Sequence, residues 1–89
     1  MLESAVEMPV VRRAEAAGWL VRKLAWVGRN GAPDRIFMKD GRVVFIEFKK
    51  PGEVPTLLQR TEHERMRAAG MEVYVCDDAT DALEKLGIL

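Results

Sequence analysis

The dipeptide Asp40-Gly41 is the feature of this sequence that most constrains its fold. It separates two apolar runs, Ile36–Met38 and Val43–Phe48. Asp-Gly between two such runs is a strong signal for a β-hairpin closed by a two-residue turn. The sequence therefore predicts a pair of antiparallel strands on either side of these two residues.

The turn also sets the register of the hairpin. If Lys39 faces Arg42 across the turn, counting back along both strands places Asp34 opposite Glu47, with Cβ atoms about 4.5–5.5 Å apart. Lys49 then projects from the same face as Glu47, because side chains alternate along a strand. Two facing carboxylates repel, so one takes up a proton or the pair binds a cation.

A hard divalent cation suits this arrangement, since Mg²⁺ is held by one or two carboxylates together with water and phosphate oxygens. An ammonium group beside the ion lowers the pKa of a water molecule or stabilises charge on a phosphate. The pattern therefore indicates a metal-dependent phosphodiesterase site. The alternative is an exposed hairpin face that carries ordinary solvated charges.

Three stretches carry a resemblance to a known family: Gly31–Ile36, Phe45–Lys49 and Gln59. Pro33-Asp34 followed by Glu-Phe-Lys matches the PD-(D/E)xK nuclease signature, and the fuller pattern resembles its VRR-NUC branch. The resemblance extends over about residues 3–77. It implies a restriction-endonuclease-like α/β sandwich, with a central mixed sheet flanked by helices.

The resemblance also implies roles for individual residues. Asp34 and Glu47 would hold Mg²⁺ or Mn²⁺, with the backbone carbonyl of Phe48 as a further ligand. Lys49 would position or polarise the attacking water, and Gln59 would orient the lysine or a phosphate. A surface position is the alternative for Gln59.

A glutamate of the first helix commonly joins the metal site in this family, and Glu7 matches it by its distance to Gly18. Glu3 is the second candidate. A glutamate that merely begins a helix, favoured there by the helix dipole, is the other interpretation of Glu7.

Four basic residues are expected to contact DNA: Lys23, Arg29, Arg35 and Lys50. Solvated charge is the alternative for Lys23. His63 shares a helix face with Gln59, but a lone histidine on a charged helix is expected to be solvated rather than catalytic.

The order of elements is predicted to be α-β-β-β-α-β-α in a single domain, residues 1–89. The expected elements outside the hairpin are helix 3–17, strand Trp19–Trp26, a helix from Pro55 or Thr56 to about Ala69, strand Glu72–Cys76 and helix Thr80–Leu86.

Three details of these elements are specific enough to check. Ser4-x-x-Glu7 has capping-box spacing, although Pro9 also permits a regular helix that begins near residue 8 or 9. The last strand should run parallel to the second hairpin strand, because a helix connects the two. The second long helix is expected to bury Leu57 or Leu58, Thr61, Met66 and Ala69.

Composition limits the remaining possibilities. Fourteen basic and fourteen acidic residues give no net charge, so attraction to nucleic acid must come from local patches. The single cysteine, Cys76, excludes a disulfide or CxxC zinc site within one chain. No membrane span, signal peptide or nucleotide-binding P-loop is recognisable, so we expect a cytoplasmic protein without a nucleotide cofactor. The resemblance implies a viral, phage or bacterial origin.

The resemblance implies a structure-selective DNA endonuclease. A twofold dimer presents two sites at a fixed separation, which suits paired cuts across a four-way junction. Holliday junction resolution by a homodimer is therefore the expected activity. A flap or general endonuclease, and a non-catalytic DNA-binding or assembly module, are the alternatives.

Overall fold

A computed structural model describes residues 2–89, and its elements follow the predicted order. The elements are α1 (Ser4–Ala16), β1 (Leu20–Lys23), β2 (Arg35–Lys39), β3 (Arg42–Phe48), α2 (Leu57–Ala68), β4 (Glu72–Cys76) and α3 (Ala79–Lys85). Within residues 2–89, no helix is long and apolar enough to cross a membrane.

The hairpin has the predicted register. Lys39 pairs with Arg42, and Asp40 and Gly41 form the turn with φ angles of 50° and 81°. Positive φ at both central residues is typical of the type I′ turn, whose twist matches that of the flanking strands. The four strands form one sheet in the order β1-β2-β3-β4, in which β4 runs parallel to β3 as predicted.

The two faces of the sheet are covered differently. One face packs on α1 and α3, and Phe37 lies at its centre in edge-to-face contact with Trp19 and Phe48. The other face carries Glu47, since side chains alternate along β3, and α2 lies over it. The main apolar core is therefore on the α1 and α3 side.

The first helix begins differently from either prediction. Glu3 occupies the N-cap position without a side-chain capping bond, so the Ser4–Glu7 capping box is wrong. A helical start near residue 8 or 9 is also wrong, because Pro9 lies inside α1. The strand after it is shorter than predicted, ending at Lys23 rather than Trp26.

The second long helix buries a different residue from those expected. Within Leu57–Ala68, His63 alone is buried, whereas Leu57 and Leu58 are exposed. The predicted inner side is therefore wrong for the two leucines and for Ala69, which is exposed, whereas Thr61 and Met66 are half-buried. The expectation that His63 is solvated is also wrong.

The last strand has the predicted bounds, and the last helix lies within one residue of its predicted bounds. Asp78 caps α3 by accepting a hydrogen bond from the Thr80 backbone, and Ala82 and Leu83 are buried. Cys76 is a buried free thiol, and its burial raises its pKa to about 12. A thiol of this kind is structural, because the nucleophile in cysteine chemistry is the thiolate.

Replacing Phe37 with Ala is expected to destabilise the protein by about 3–5 kcal/mol, because the ring is 0% exposed and its removal leaves a cavity. Leu20→Ala on the adjacent strand is the control, since Leu20 is 47% exposed and its substitution should cost far less. Urea denaturation measures both. Equal losses in the two variants would contradict the position assigned to the core.

Candidate active site

The carboxylate of Asp34 is fixed at the end of the hairpin. The β2–β3 pairing reaches Arg35 and Ile46, and Asp34 lies one residue beyond it. Asp34 Oδ2 accepts a hydrogen bond from the Phe48 backbone N–H at 2.8 Å. This bond ties the aspartate to the end of β3, one residue after Glu47 and one before Lys49.

The Glu47 carboxylate is the most enclosed polar group of the site. The residue is 3% exposed, and neighbouring Lys49 is 8% exposed. Glu47 Oε2 lies 3.3 Å from Lys49 Nζ and accepts a hydrogen bond of 3.0 Å from Gln59 Nε2. Within residues 2–89 the other oxygen, Oε1, is buried and has no hydrogen-bond partner.

Gln59 is held at both ends of its amide. Its Oε1 accepts from the Thr56 backbone N–H at 2.9 Å, and the Thr56 hydroxyl accepts from the Gln59 backbone N–H at 3.2 Å. These two bonds form a capping box at the start of α2, which leaves Nε2 to reach Glu47. The Thr-x-x-Gln spacing of residues 56–59 is the sequence signal that would have predicted this capping box.

Both carboxylic acids are harder to ionise than usual. Burial raises the pKa of Asp34, and the charge of Glu7 adds to the rise, while the Phe48 N–H and the charges of Lys49 and Arg35 oppose it. Burial and then the charge of Asp34 raise the pKa of Glu47 from 4.5 to about 7, although Lys49 opposes this. The negative charge of Asp34 therefore disfavours the ionisation of Glu47.

Glu7 lies against Arg35, on the α1 side of the sheet. Arg35 Nε and Glu7 Oε2 are 2.6 Å apart, and both side chains are largely buried. Arg35 pairs with Ile46, so its side chain projects from the face opposite that of Glu47. This ion pair gives both residues a structural explanation, while the metal role predicted for Glu7 and the DNA contact predicted for Arg35 stay predictions.

Glu3, the second candidate in α1, acts electrostatically on the site. Burial raises the pKa of Glu3, and the negative charge of Asp34 raises it further. The charge of Glu3 in turn contributes to the raised pKa of Glu47. This glutamate precedes the first turn of α1 and is partly buried.

The three other basic residues predicted to contact DNA are solvent-exposed. They are Lys23 at the end of β1, Arg29 in the following loop and Lys50 directly after Lys49. Arg29 lies 3.9 Å from Glu62, a weak surface contact. All three are available to a ligand, and their DNA role stays a prediction.

The donor set around Glu47 fits a hard cation. A buried carboxylate oxygen without a partner is costly, and a divalent ion would supply the missing interaction for Oε1. Carboxylate and carbonyl oxygens are the ligands that Mg²⁺ and Mn²⁺ prefer. No cluster of three or more His, Cys, Asp or Glu side chains suited to a metal is present in residues 2–89. An ion beside Asp34 and Glu47 would therefore need backbone, water or substrate oxygens to complete its coordination.

Comparison with known proteins was made by sequence and by structure. No protein-family model matches the chain. A protein named "Putative nuclease p44", from Acyrthosiphon pisum secondary endosymbiont phage 1, is 38% identical over 76 residues, covering 84% of this chain and 82% of that protein. A solved structure described as a VRR_NUC domain matches with a TM-score of 0.87 at 36% identity, covering 96% of this chain and 94% of the other.

Glu47→Gln is expected to stabilise the metal-free protein at alkaline pH. Because the pKa of Glu47 rises from 4.5 to about 7 on folding, the folded protein keeps a proton that the unfolded chain releases between these values. The stability due to this carboxyl is fully present below pH 4.5 and falls as the pH rises to about 7. The gain from Gln should grow from near zero at about pH 4 to about 3 kcal/mol at about pH 8.

Urea denaturation across this pH range, with a chelator present, measures the effect. Glu64→Gln, at an exposed position of α2, is the matched control and should give a small, pH-independent difference. If the difference in unfolding free energy between Glu47→Gln and the wild type did not change with pH, folding would not raise the pKa of Glu47.

Proposed function

This chain belongs to the VRR-NUC family, and we propose that it is a Mg²⁺- or Mn²⁺-dependent DNA endonuclease. The observation that carries the proposal is the meeting of Asp34, Glu47 and Lys49 at the end of one hairpin, with Gln59 bound to Glu47. Metal-assisted hydrolysis of a phosphodiester uses a bound cation, a positioned water and a stabilised leaving group. These residues supply the first two requirements.

Asp34 and Glu47 would hold the metal ion through Oδ1 and Oε1, the oxygens that face neither Phe48 N–H nor Gln59. The Phe48 backbone carbonyl is a further proposed ligand. When bound, the ion supplies Lewis acidity that lowers the pKa of a water molecule and offsets charge on the phosphate.

Lys49 and Gln59 act on the site without binding the ion. Lys49 keeps its ammonium group against Glu47 Oε2 at 3.3 Å, where it orients the attacking water and stabilises negative charge on the phosphate. Gln59 donates to the same oxygen and so leaves Oε1 as the oxygen without a hydrogen-bond partner within residues 2–89. This outer contact fixes the rotamer of the proposed ligand.

Of the two candidate glutamates, we propose that Glu3 rather than Glu7 favours the bound ion through its charge. The Glu7 carboxylate already forms a close ion pair with Arg35. The charge of Glu7 acts on Asp34, whereas Glu3 interacts electrostatically with both Asp34 and Glu47. An ion held by Asp34 and Glu47 would offset this repulsion, which adds to the effect of burial on the pKa values of the carboxyls.

The proposed substrate is branched DNA, with the four-way junction preferred. The similar phage protein is named as a nuclease, and exposed Lys23, Arg29 and Lys50 supply local positive charge on a chain without net charge. A homodimer would present two sites for paired cuts. Flap or general cleavage is the other possible specificity.

Asp34→Asn and Lys49→Met are each expected to reduce cleavage by about 10²–10³-fold or more, because each removes a charge that acts on the reacting phosphate. Asn keeps an oxygen that can accept from the Phe48 N–H, so the hairpin should stay intact. Asp40→Asn is the matched control: it changes an exposed aspartate of the turn, where Asn tolerates the positive φ.

The measurement is the rate of cleavage of four-way, flap, splayed and duplex DNA with Mg²⁺ or Mn²⁺. Full activity of Asp40→Asn with loss in the other two variants is the expected result. Equal activity in all three variants would refute the proposed site, whereas preferential cleavage of flap DNA would refute the junction specificity alone.

Glu3→Gln is expected to weaken Mn²⁺ binding by about 10-fold or more, because it removes a negative charge near the proposed ion. Glu7→Gln should change the affinity less, since it chiefly breaks the Arg35 ion pair. Isothermal titration of each metal-free variant with Mn²⁺ compares the two. A larger loss in Glu7→Gln would show that Glu7, not Glu3, is the glutamate whose charge favours the ion.

A further inference from the structure

His63 is a buried polar residue that the proposed catalysis does not use. It is 1% exposed, and neither ring nitrogen has a hydrogen-bond partner within residues 2–89. Buried polar groups in folded proteins are nearly always paired, so an unpaired one requires an explanation. An apolar side chain at this position would have filled the same space without leaving two nitrogens unpaired.

The ring lies beside the backbone of Gly31, across the space between α2 and the loop before Asp34. The Gly31 backbone acts on the ring as a hydrogen-bond acceptor and raises its pKa, although the contact falls short of full hydrogen-bond geometry. Burial and the positive charges of Arg67 and Lys49 outweigh this and lower the pKa. The ring is therefore neutral at pH 7, with one N–H to donate.

Gly31 itself is pressed against α2. Its φ is +98°, and a Cβ added there would lie 2.9 Å from the Leu58 carbonyl oxygen and 2.9 Å from Glu62 Cβ. Only glycine allows this backbone to approach the helix so closely. The loop and α2 are therefore in contact at the point where His63 faces the loop.

This contact joins the two halves of the candidate site. Four residues before His63 on the same helix, Gln59 binds Glu47. Three residues after Gly31 in the loop, Asp34 binds the Phe48 N–H. A shift of the loop relative to α2 would change the separation of the two carboxylates.

We propose that His63 is a positioning residue that donates a ring N–H to the Gly31 carbonyl and so holds the loop before Asp34 against α2. This role rests on the proposed nuclease function. A small approach of the ring to the carbonyl completes the hydrogen bond. The bond then fixes Asp34 at its distance from Glu47, although His63 touches neither substrate nor ion.

The first test separates the N–H group from the volume of the ring. His63→Leu fills the space without a donor, whereas His63→Gln keeps a donor. We expect His63→Leu to lower kcat on four-way DNA by about 10–100-fold with little change in KM, and His63→Gln to recover most of the loss. Wild-type kcat in His63→Leu, or the same loss in both variants, would overturn the proposal.

The second test breaks the contact from the loop side. Gly31→Ala introduces a clash with α2, whereas Gly28→Ala introduces a side chain at a φ of +76° with nothing within 4 Å. The two substitutions share the backbone strain, and Gly31→Ala alone should lower kcat. If the two residues act through one contact, the double variant Gly31→Ala/His63→Leu should have a kcat no lower than that of the worse single variant. A loss of kcat equal to the product of the two single losses would refute the coupling.

A third measurement does not depend on cleavage. Imidazole ¹⁵N–¹H NMR of the metal-free protein should show one tautomer, whose ring proton exchanges slowly with water in the wild type and faster in Gly31→Ala. A rapidly exchanging ring proton in a wild-type protein that cleaves DNA would refute the positioning role alone. A ring proton that exchanges slowly in a protein that cleaves no DNA would demonstrate the contact between His63 and Gly31. The same result would refute the nuclease function, and with it the catalytic role of this contact.

Discussion

The burial of one carboxylate, that of Glu47, is the constraint on which the rest of the site depends. Removing a carboxylate from water is unfavourable unless charge or hydrogen bonds replace the lost hydration. Lys49 and Gln59 compensate one of its oxygens, and the other remains without a partner within residues 2–89. The raised pKa of Glu47 shows that this compensation is incomplete, and an incompletely compensated anion is what a cation site requires before the ion arrives.

The main apolar core and the candidate active site lie on opposite faces of one sheet. On the α1 and α3 side, Phe37, Ile46 and Phe48 pack in a continuous apolar core. On the α2 side, Glu47 and Lys49 come from alternate positions of the same stretch of chain. Because a single strand serves both faces, the register that builds the core also aims the carboxylate, and a slip of one residue would destroy both.

The fold was predictable from the sequence because its main signals are local. Asp40-Gly41 defines the hairpin, and its register follows from alternation alone. The errors arose where tertiary contacts decide. Pro9 lies inside α1 despite its low helix propensity, because the burial of the helix's inner face outweighs that cost. Apolarity favoured Leu57 or Leu58 as the buried residues of α2, whereas the structure buries His63. The pairing of Glu7 with Arg35 likewise depends on how α1 crosses the sheet.

Hydrogen bonds join α2 to the sheet and link the position of the helix to the site. Its bonds to the sheet come from Gln59, which binds Glu47, and Arg67, which binds the Val73 carbonyl at 2.9 Å. His63 lies between them as the buried residue of the helix. Hydrogen bonds depend on direction far more than apolar contacts do, so a helix held in this way has little freedom to slide. The Gln59 amide is therefore held against Glu47 in a defined geometry, although α2 contributes little to the main apolar core.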